Sequence, residues 1–247
     1  WSYPKAFLVS DGNIIGISYN KIWVMEKNEE YRIIKTGEIP LETGGIKNIV
    51  KHIDPNNHDK NDELKILTVG AAVGSGSSTI MIDKDKIIQL GGQQEGGEYS
   101  PSNRVYEIDF AVSKNPKIKN LRSMNHVRSN ANATILPDGK VFVNGGHASY
   151  HDDLKFSIFI PELYDPSNNS WEELSEATFR RNYHSTSLLL TDGTILIAGG
   201  DVWNAEIFYP PYLFEKNWEG KTILAKRPEI KKIDKNIKDR SKVIIKV

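Results

Sequence analysis

An all-β fold built from a repeated four-stranded unit, a β-propeller, is what this sequence predicts, and three observations predict it. Gly-Gly pairs recur at Gly91-Gly92, Gly145-Gly146 and Gly199-Gly200, each 54 residues after the one before. Upstream of the second and third pairs stand Leu136-Pro137-Asp138-Gly139 and Leu190-Thr191-Asp192-Gly193, and Lys84-Asp85 fills the same place in the preceding unit. After each pair comes an aromatic-bearing run: Arg104-Val105-Tyr106-Glu107-Ile108, Glu162-Leu163-Tyr164-Asp165-Pro166 and Glu206-Ile207-Phe208-Tyr209-Pro210. A fixed interval of this length marks a repeat architecture. The other all-β reading, a two-sheet sandwich, has no reason to keep it.

The elements follow in order. Ala6 to Ile15 carries Asp11-Gly12 between apolar runs and reads as the hairpin of a first blade, with Ser18-Tyr19 where the Gly pair should fall and Lys21-Ile22-Trp23-Val24 as its third strand. Asp-Gly between such runs predicts a tight primed turn, because glycine adopts positive φ without steric cost. Ala133 to Gly145 is a hairpin on the same grounds, and Trp171 opens a fourth strand after Tyr164. Four short strands per unit of roughly 50 residues is the kelch-type pattern, in which the Gly pair ends an inner strand where backbones crowd the axis. About four blades are recognisable. Residues 52–63 and 93–101 read as exposed loops; Asp54, Asp59 and Asp62 in the first could chelate calcium, but the cluster reads as a solvated insertion. Trp23 and Trp171 are expected in blade cores, and Trp203, just past a Gly pair, on the surface. The sequon Asn132-Ala133-Thr134 lies in a predicted strand, which disfavours glycosylation.

Composition narrows the function classes. The chain has 247 residues with 32 Lys+Arg against 32 Asp+Glu, so no basic excess exists to hold a phosphate backbone, and nucleic acid is not an expected partner. With no Cys, these residues contain no disulfide, Cys-ligated zinc or thiol catalyst. No apolar run reaches the roughly 18 residues of a membrane span. A chain opening on Trp1 reads as a processed product or a piece of a longer polypeptide.

The segment Arg181-Asn182-Tyr183-His184-Ser185-Thr186-Ser187-Leu188-Leu189-Leu190-Thr191-Asp192-Gly193, continuing through Gly199-Gly200 to Asn204-Ala205-Glu206-Ile207-Phe208-Tyr209-Pro210-Pro211-Tyr212-Leu213-Phe214, resembles galactose oxidase and the glyoxal oxidases. Asn130-Ala131-Asn132-Ala133-Thr134-Ile135-Leu136-Pro137-Asp138-Gly139 fits the same family, and Arg227-Pro228-Glu229-Ile230 resembles the start of its C-terminal immunoglobulin-like domain. The resemblance implies residues 1–225 as part of a seven-bladed propeller and 226–247 as the beginning of the second domain. It implies copper at the axis beside a tyrosine cross-linked to a cysteine, oxidising primary alcohols or aldehydes while dioxygen becomes peroxide. The family's axial tyrosine and its neighbouring histidine ligand fall on Tyr183 and His184. Counted back from the preceding Asp-Gly turn, the place of the cross-linked tyrosine, two after Arg128, falls on Asn130.

Three functions therefore stand open. With Asn130 in that place and no Cys, the first is a non-catalytic, galactose-oxidase-like propeller binding glycan or protein at the cell surface or outside the cell, with no cofactor expected. The second is a copper-dependent oxidase with an altered site, and the third a structural or assembly subunit. Remaining blades are expected from the same polypeptide or another chain, since an open propeller leaves bare strand edges. Candidate binding residues are His147, Tyr150 and His151 in the loop after a Gly pair, Trp203, and Arg181.

Overall fold

The computed structural model describes residues 4–18, 21–27, 33–38, 45–51, 63–69, 76–93, 101–148, 154–227, 232–233 and 245–246. They divide into two compact units, Trp1–Phe208 and Tyr209–Val247. The larger unit is a series of antiparallel sheets. Lys5–Leu8, Ile14–Ser18, Lys21–Met25 and Ile33–Glu38 (β1 to β4) form the first; Gly45–Lys51 and Glu63–Val69 (β5, β6) pair separately. Ser78–Asp83, Lys86–Leu90, Val105–Asp109 and Lys117–Asn120 (β7 to β10) form the second four-stranded sheet. Ser129–Ile135, Val141–His147, Glu162–Asp165 and Ser170–Glu173 (β11 to β14) form the third, and Ser185–Leu189, Ile195–Gly199 and Ala205–Phe208 (β15 to β17) a three-stranded fourth. Each is a simple meander, the expected propeller blade.

The hairpins explain the repeat. Leu136 N–H donates to Lys140 O (2.8 Å) and Gly139 N–H to Leu136 O (2.9 Å); Leu190, Thr194 and Gly193 repeat this at 2.8 and 2.9 Å, and Val9, Asn13 and Gly12 at 3.0 and 2.9 Å. Only the glycine of each Asp-Gly pair has positive φ, +87° at Gly12, +82° at Gly139 and +79° at Gly193. The turns are therefore ordinary turns closed by a left-handed glycine, one residue longer than the primed turn expected, and the longer loop restores the strand twist that a two-residue loop needs primed geometry to match. Each aspartate earlier in the turn accepts from the backbone two residues on, Asp192 from Thr194 N–H at 2.9 Å and Asp11 from Asn13 N–H at 2.9 Å.

Blades pack face to face through alternating side chains. In β12, buried throughout, Val141 and Val143 join Ile88, Leu90, Val105 and Tyr164 in a cluster shared with the second blade. Phe142, pointing the other way as strand alternation requires, stacks on Phe208 of the fourth blade at 4.5 Å. A second cluster joins Val9, Ile15, Ile17, Ile22 and Val24 of the first blade to Ile87, Tyr106, Ile108 and Phe110 of the second. Innermost strands are also tied edge to edge: Ser78 Oγ donates to Ala131 O, Asn132 Nδ2 to Ser185 Oγ (2.8 Å), and Thr134 Oγ1 to Ser187 Oγ (2.9 Å). Because Asn132 is used in this seam, its sequon is not a free surface amide.

The Gly pairs mark where the next blade's backbone presses in. Gly92 N–H donates to Arg128 O and Gly146 N–H to Arg181 O, both at 2.7 Å. A Cβ on Gly91 would stand 2.5 Å from Arg128 O, and one on Gly145 only 2.1 Å from Arg181 O. Any side chain there would push the following blade away.

In the smaller unit, Phe214–Lys216 and Thr222–Leu224 (β18, β19) make a hairpin around Asn217-Gly220, and Lys232–Ile233 pairs with Ile245–Lys246 (β20, β21). Among the described residues no helix is long and apolar enough to cross a membrane.

Candidate functional site

Three blades share one strained position. Gly76, Asn130 and His184 lie 54 residues apart, Gly76 and His184 just before the inner strand of their blades and Asn130 second in its own, with φ of +69°, +57° and +61°. For a residue with a Cβ this conformation costs roughly 1–2 kcal/mol. A histidine held there by the surrounding backbone is therefore an observation that points to function. The restraint is visible: Gly200 N–H donates to His184 O at 3.4 Å and Ser185 N–H to Asn182 O at 3.1 Å.

This turn also brings Tyr183 and His184 together. On a regular strand neighbours diverge, but here both rings lie on one side, with centroids 3.7 Å apart and planes inclined by 32°. Both side chains are exposed. An imidazole nitrogen and a phenol oxygen side by side form a donor pair suited to copper. Among the described residues no group of three or more His, Cys, Asp or Glu is placed to hold a metal, so the pair fits as part of a copper site and further ligands would have to come from elsewhere.

Asn130 occupies the equivalent slot one blade earlier. Its Nδ2 lies 3.1 Å from His147 Nε2, so with the amide donating, the imidazole accepts on Nε2. His147 is the last residue of β12 and is buried, not the loop residue expected, because the strand runs past the Gly pair to meet Ser129. Asn182 Nδ2 donates to Ser157 Oγ at 2.9 Å, and Ser157 pairs with His147 in an isolated antiparallel backbone bridge. The slot recurs in the second, third and fourth blades. Counting back from an Asp-Gly turn therefore finds a recurring position, of which Asn130 is one case and Gly76 another, and does not single out Asn130 as a replaced tyrosine. A Cβ on Gly76 would meet Asn130 Oδ1 at 2.5 Å, so neighbouring slots are within reach of each other.

Arg181, one of the expected binding residues, is buried and bonded within its own blade. It donates from Nη1 to Gly199 O (3.1 Å) and from Nη2 to Asn204 Oδ1 (2.7 Å) and Glu206 (3.3 Å). Burial pulls its pKa down while Glu206 works against that. Arg128 does the same work one blade earlier: fully buried, it donates to Glu162 Oε2 from Nε (3.0 Å) and Nη2 (2.8 Å), to Gly145 O (2.8 Å) and to Ile160 O. These arginines fix the carbonyls that the Gly pairs receive, and hence the approach to Asn130 and His184. Sequence reasoning missed the lock because Arg128 and Glu162 are 34 residues apart; the repetition of Arg in the two blades was the available signal.

Tyr150 and His151 lie outside the described residues. Trp203 is fully exposed on the loop between β16 and β17. Trp171 is partly buried, stacked 4.9 Å from Tyr164 and donating from Nε1 to Arg122 O at 2.8 Å, and Trp23 is partly buried in β3.

Successive meander blades, with a left-handed histidine beside a tyrosine at one strand end, make this an all-β chain of propeller-type blades. The chain is similar to galactose oxidase of Gibberella zeae, 28% identical over 169 residues, which is 62% of this chain and 24% of that protein. It is similar to aldehyde oxidase GLOX1 of Arabidopsis thaliana, 25% identical over 85% of this chain and 36% of the relative. In structure it matches a fungal alcohol oxidase of the AA5 family, described in complex with copper, with a TM-score of 0.59 and 22% identity over 94% of this chain and 56% of that one. No family model matches. The chain thus spans about a quarter to a third of the curated relatives and about half of the solved structure. The expectation of no cofactor finds no support among these similar proteins, one of which is described in complex with copper.

Proposed function

We propose that this chain supplies the His184–Tyr183 part of the copper centre in a galactose-oxidase-like enzyme that oxidises primary alcohols or aldehydes and reduces dioxygen to hydrogen peroxide. The observation that carries the reading is the tyrosine–histidine pair held on one side of a strand end by the left-handed His184, within a chain similar to alcohol and aldehyde oxidases. For an alcohol, the substrate carbon gives up two electrons and two protons to become an aldehyde, and dioxygen takes up both. Copper, when bound, supplies an electron acceptor and a Lewis-acidic place for the substrate oxygen. His184 would bind the metal through an imidazole nitrogen. Tyr183, exposed and beside it, would hold the metal through its phenol oxygen or take the hydroxyl proton. On this reading a second one-electron centre, further ligands and the remaining blades would have to come from outside these residues. Residues 226–247 would begin the immunoglobulin-like domain, and the enzyme would work outside the cell.

The experiment is peroxide release from the full-length protein, copper-loaded and metal-stripped, with a panel of primary alcohols and aldehydes. Copper-dependent peroxide supports the proposal. Copper uptake without peroxide would favour the second reading, a binding propeller without catalysis, which the Asn130–His147 hydrogen bond favours because it occupies the neighbouring slot with a satisfied amide.

A further inference from the structure

Two Asn-X-Ser/Thr triplets stand in the chain, Asn132-Ala133-Thr134 and Asn168-Asn169-Ser170, and the fold treats them oppositely. The first lies along β11, in the seam between the third and fourth blades. There Asn132 Nδ2 donates to Ser185 Oγ at 2.8 Å, and Thr134, buried, donates from Oγ1 to Ser187 Oγ at 2.9 Å. A sugar on the Asn132 nitrogen would take the place of that hydrogen bond and wedge the two blades apart, because a packed interior has no room for it.

The second triplet occupies the turn between β13 and β14, closed by the pairing of Asp165 with Ser170. Residues 166–169 are exposed, and their path is fixed from the blade side. Asp165 Oδ1 accepts from Ser167 N–H at 2.9 Å. Asn169 is left-handed, with φ +54°, and its Oδ1 accepts from Arg122 N–H (3.0 Å) and from the Tyr164 hydroxyl (3.1 Å). Asn169 is thus tied to the blade, while Asn168 stands in solvent with Ser170 Oγ donating to its Oδ1 at 2.6 Å. The amide and the hydroxyl that the triplet requires are side by side on one exposed turn. This turn is also far from the candidate copper ligands. Tyr164, just before it, pairs with Val141, just past the Asp138-Gly139 turn, and Lys140 Nζ lies 3.8 Å from Asp165 Oδ2. Asn130 and His184 lie at the other end of their blades, beside the Gly pairs.

We infer that Asn168 carries an N-linked oligosaccharide, on the end of the third blade opposite His184. An Asn-X-Ser/Thr triplet with X other than Pro is the acceptor, and its bulky product belongs on a surface loop. Such triplets recur by chance; the exposed, braced turn is what singles this one out. The donor is a lipid-linked pyrophosphate oligosaccharide. A bond forms between Asn168 Nδ2 and the anomeric carbon of the sugar, the bond from that carbon to the pyrophosphate oxygen breaks, the pyrophosphate leaves with the electron pair, and the amide gives up one proton. The inference rests on the placement of the protein outside the cell under the proposed function, and it is independent of copper.

The test is peptide mass spectrometry of the full-length protein secreted by a yeast, after an amidase has released N-linked glycans in heavy-oxygen water, which turns an occupied asparagine into a labelled aspartate. Label at Asn168 and none at Asn132 is expected. The label should be lost in Asn168→Gln and in Ser170→Ala and kept in Ser170→Thr, and Asn168→Gln should take up as much copper as the wild type. An unlabelled Asn168 in the folded, secreted protein overturns the inference alone, and label on Asn132 overturns the argument from the seam. Recovery of the native protein only from inside its own cells would overturn the extracellular reading and the inference with it.

Discussion

Replacing Arg128 by Met keeps most of its volume and removes its charge, leaving Glu162 fully buried with the Asn125 N–H still donating to it at 2.6 Å. The carbonyls of Gly145 and Ile160 lose donors as well. An ion orphaned in this way costs about 3–5 kcal/mol, and in a unit of this size each kcal/mol lowers the melting temperature by about 2–4 °C. The variant should therefore melt about 6–20 °C below the wild type. Glu162→Met added to Arg128→Met removes the stranded charge, so the double variant should recover much of the loss. Urea denaturation followed by tryptophan fluorescence measures both. A single variant losing less than about 1 kcal/mol, or a double variant losing the sum of the two singles, would refute the claim that this pair locks the entry to β11 onto the third blade.

Gly145→Ala and Gly139→Ala separate crowding from φ alone: both positions are left-handed, but a Cβ meets Arg181 O at 2.1 Å in the first and nothing within 4 Å in the second, so the first should cost more than about 3 kcal/mol and the second about 1, read by thermal melts. The Asp85 carboxyl is held below its usual pKa by the Ser10 hydroxyl and then the Ser10 N–H. Its folded pKa being depressed, its stabilisation is present above the unfolded value of 3.8 and lost as pH falls through the folded one; Asp85→Asn should be less stable at pH 7, and the gap should close on acidification below 3.8 in a pH series of melts. His184→Gly should relieve left-handed strain and melt no lower than the wild type while losing any metal, a separation of stability from function read by melting and metal analysis.

Much of the fold was written in the sequence because the repeat is a backbone requirement. The Gly pairs at 54-residue intervals are forced by the incoming carbonyls of Arg128 and Arg181, so they survive as a local signal. The turn type was not legible: Asp-Gly fits both a primed turn and the longer turn closed by glycine, and only the pairing of Leu136 with Lys140 decides. At the site, Tyr183 and His184 were found from their motif, yet that they share a side depends on the φ of His184, which residue types do not reveal. His147 was misplaced into a loop because nothing local tells how far β12 runs beyond Gly146. The burial of Arg181 was invisible because it depends on Asn204 and Glu206, more than twenty residues away, meeting it in space.

The central claim, that His184 and Tyr183 hold copper at the blade end, is tested most directly by electron paramagnetic resonance of the copper-loaded full-length protein beside His184→Ala and Tyr183→Phe. About one bound cupric ion per chain should show nitrogen couplings that fall by one imidazole in His184→Ala, with a smaller change in Tyr183→Phe. A spectrum identical in all three proteins, or no bound copper in the wild type, would contradict it.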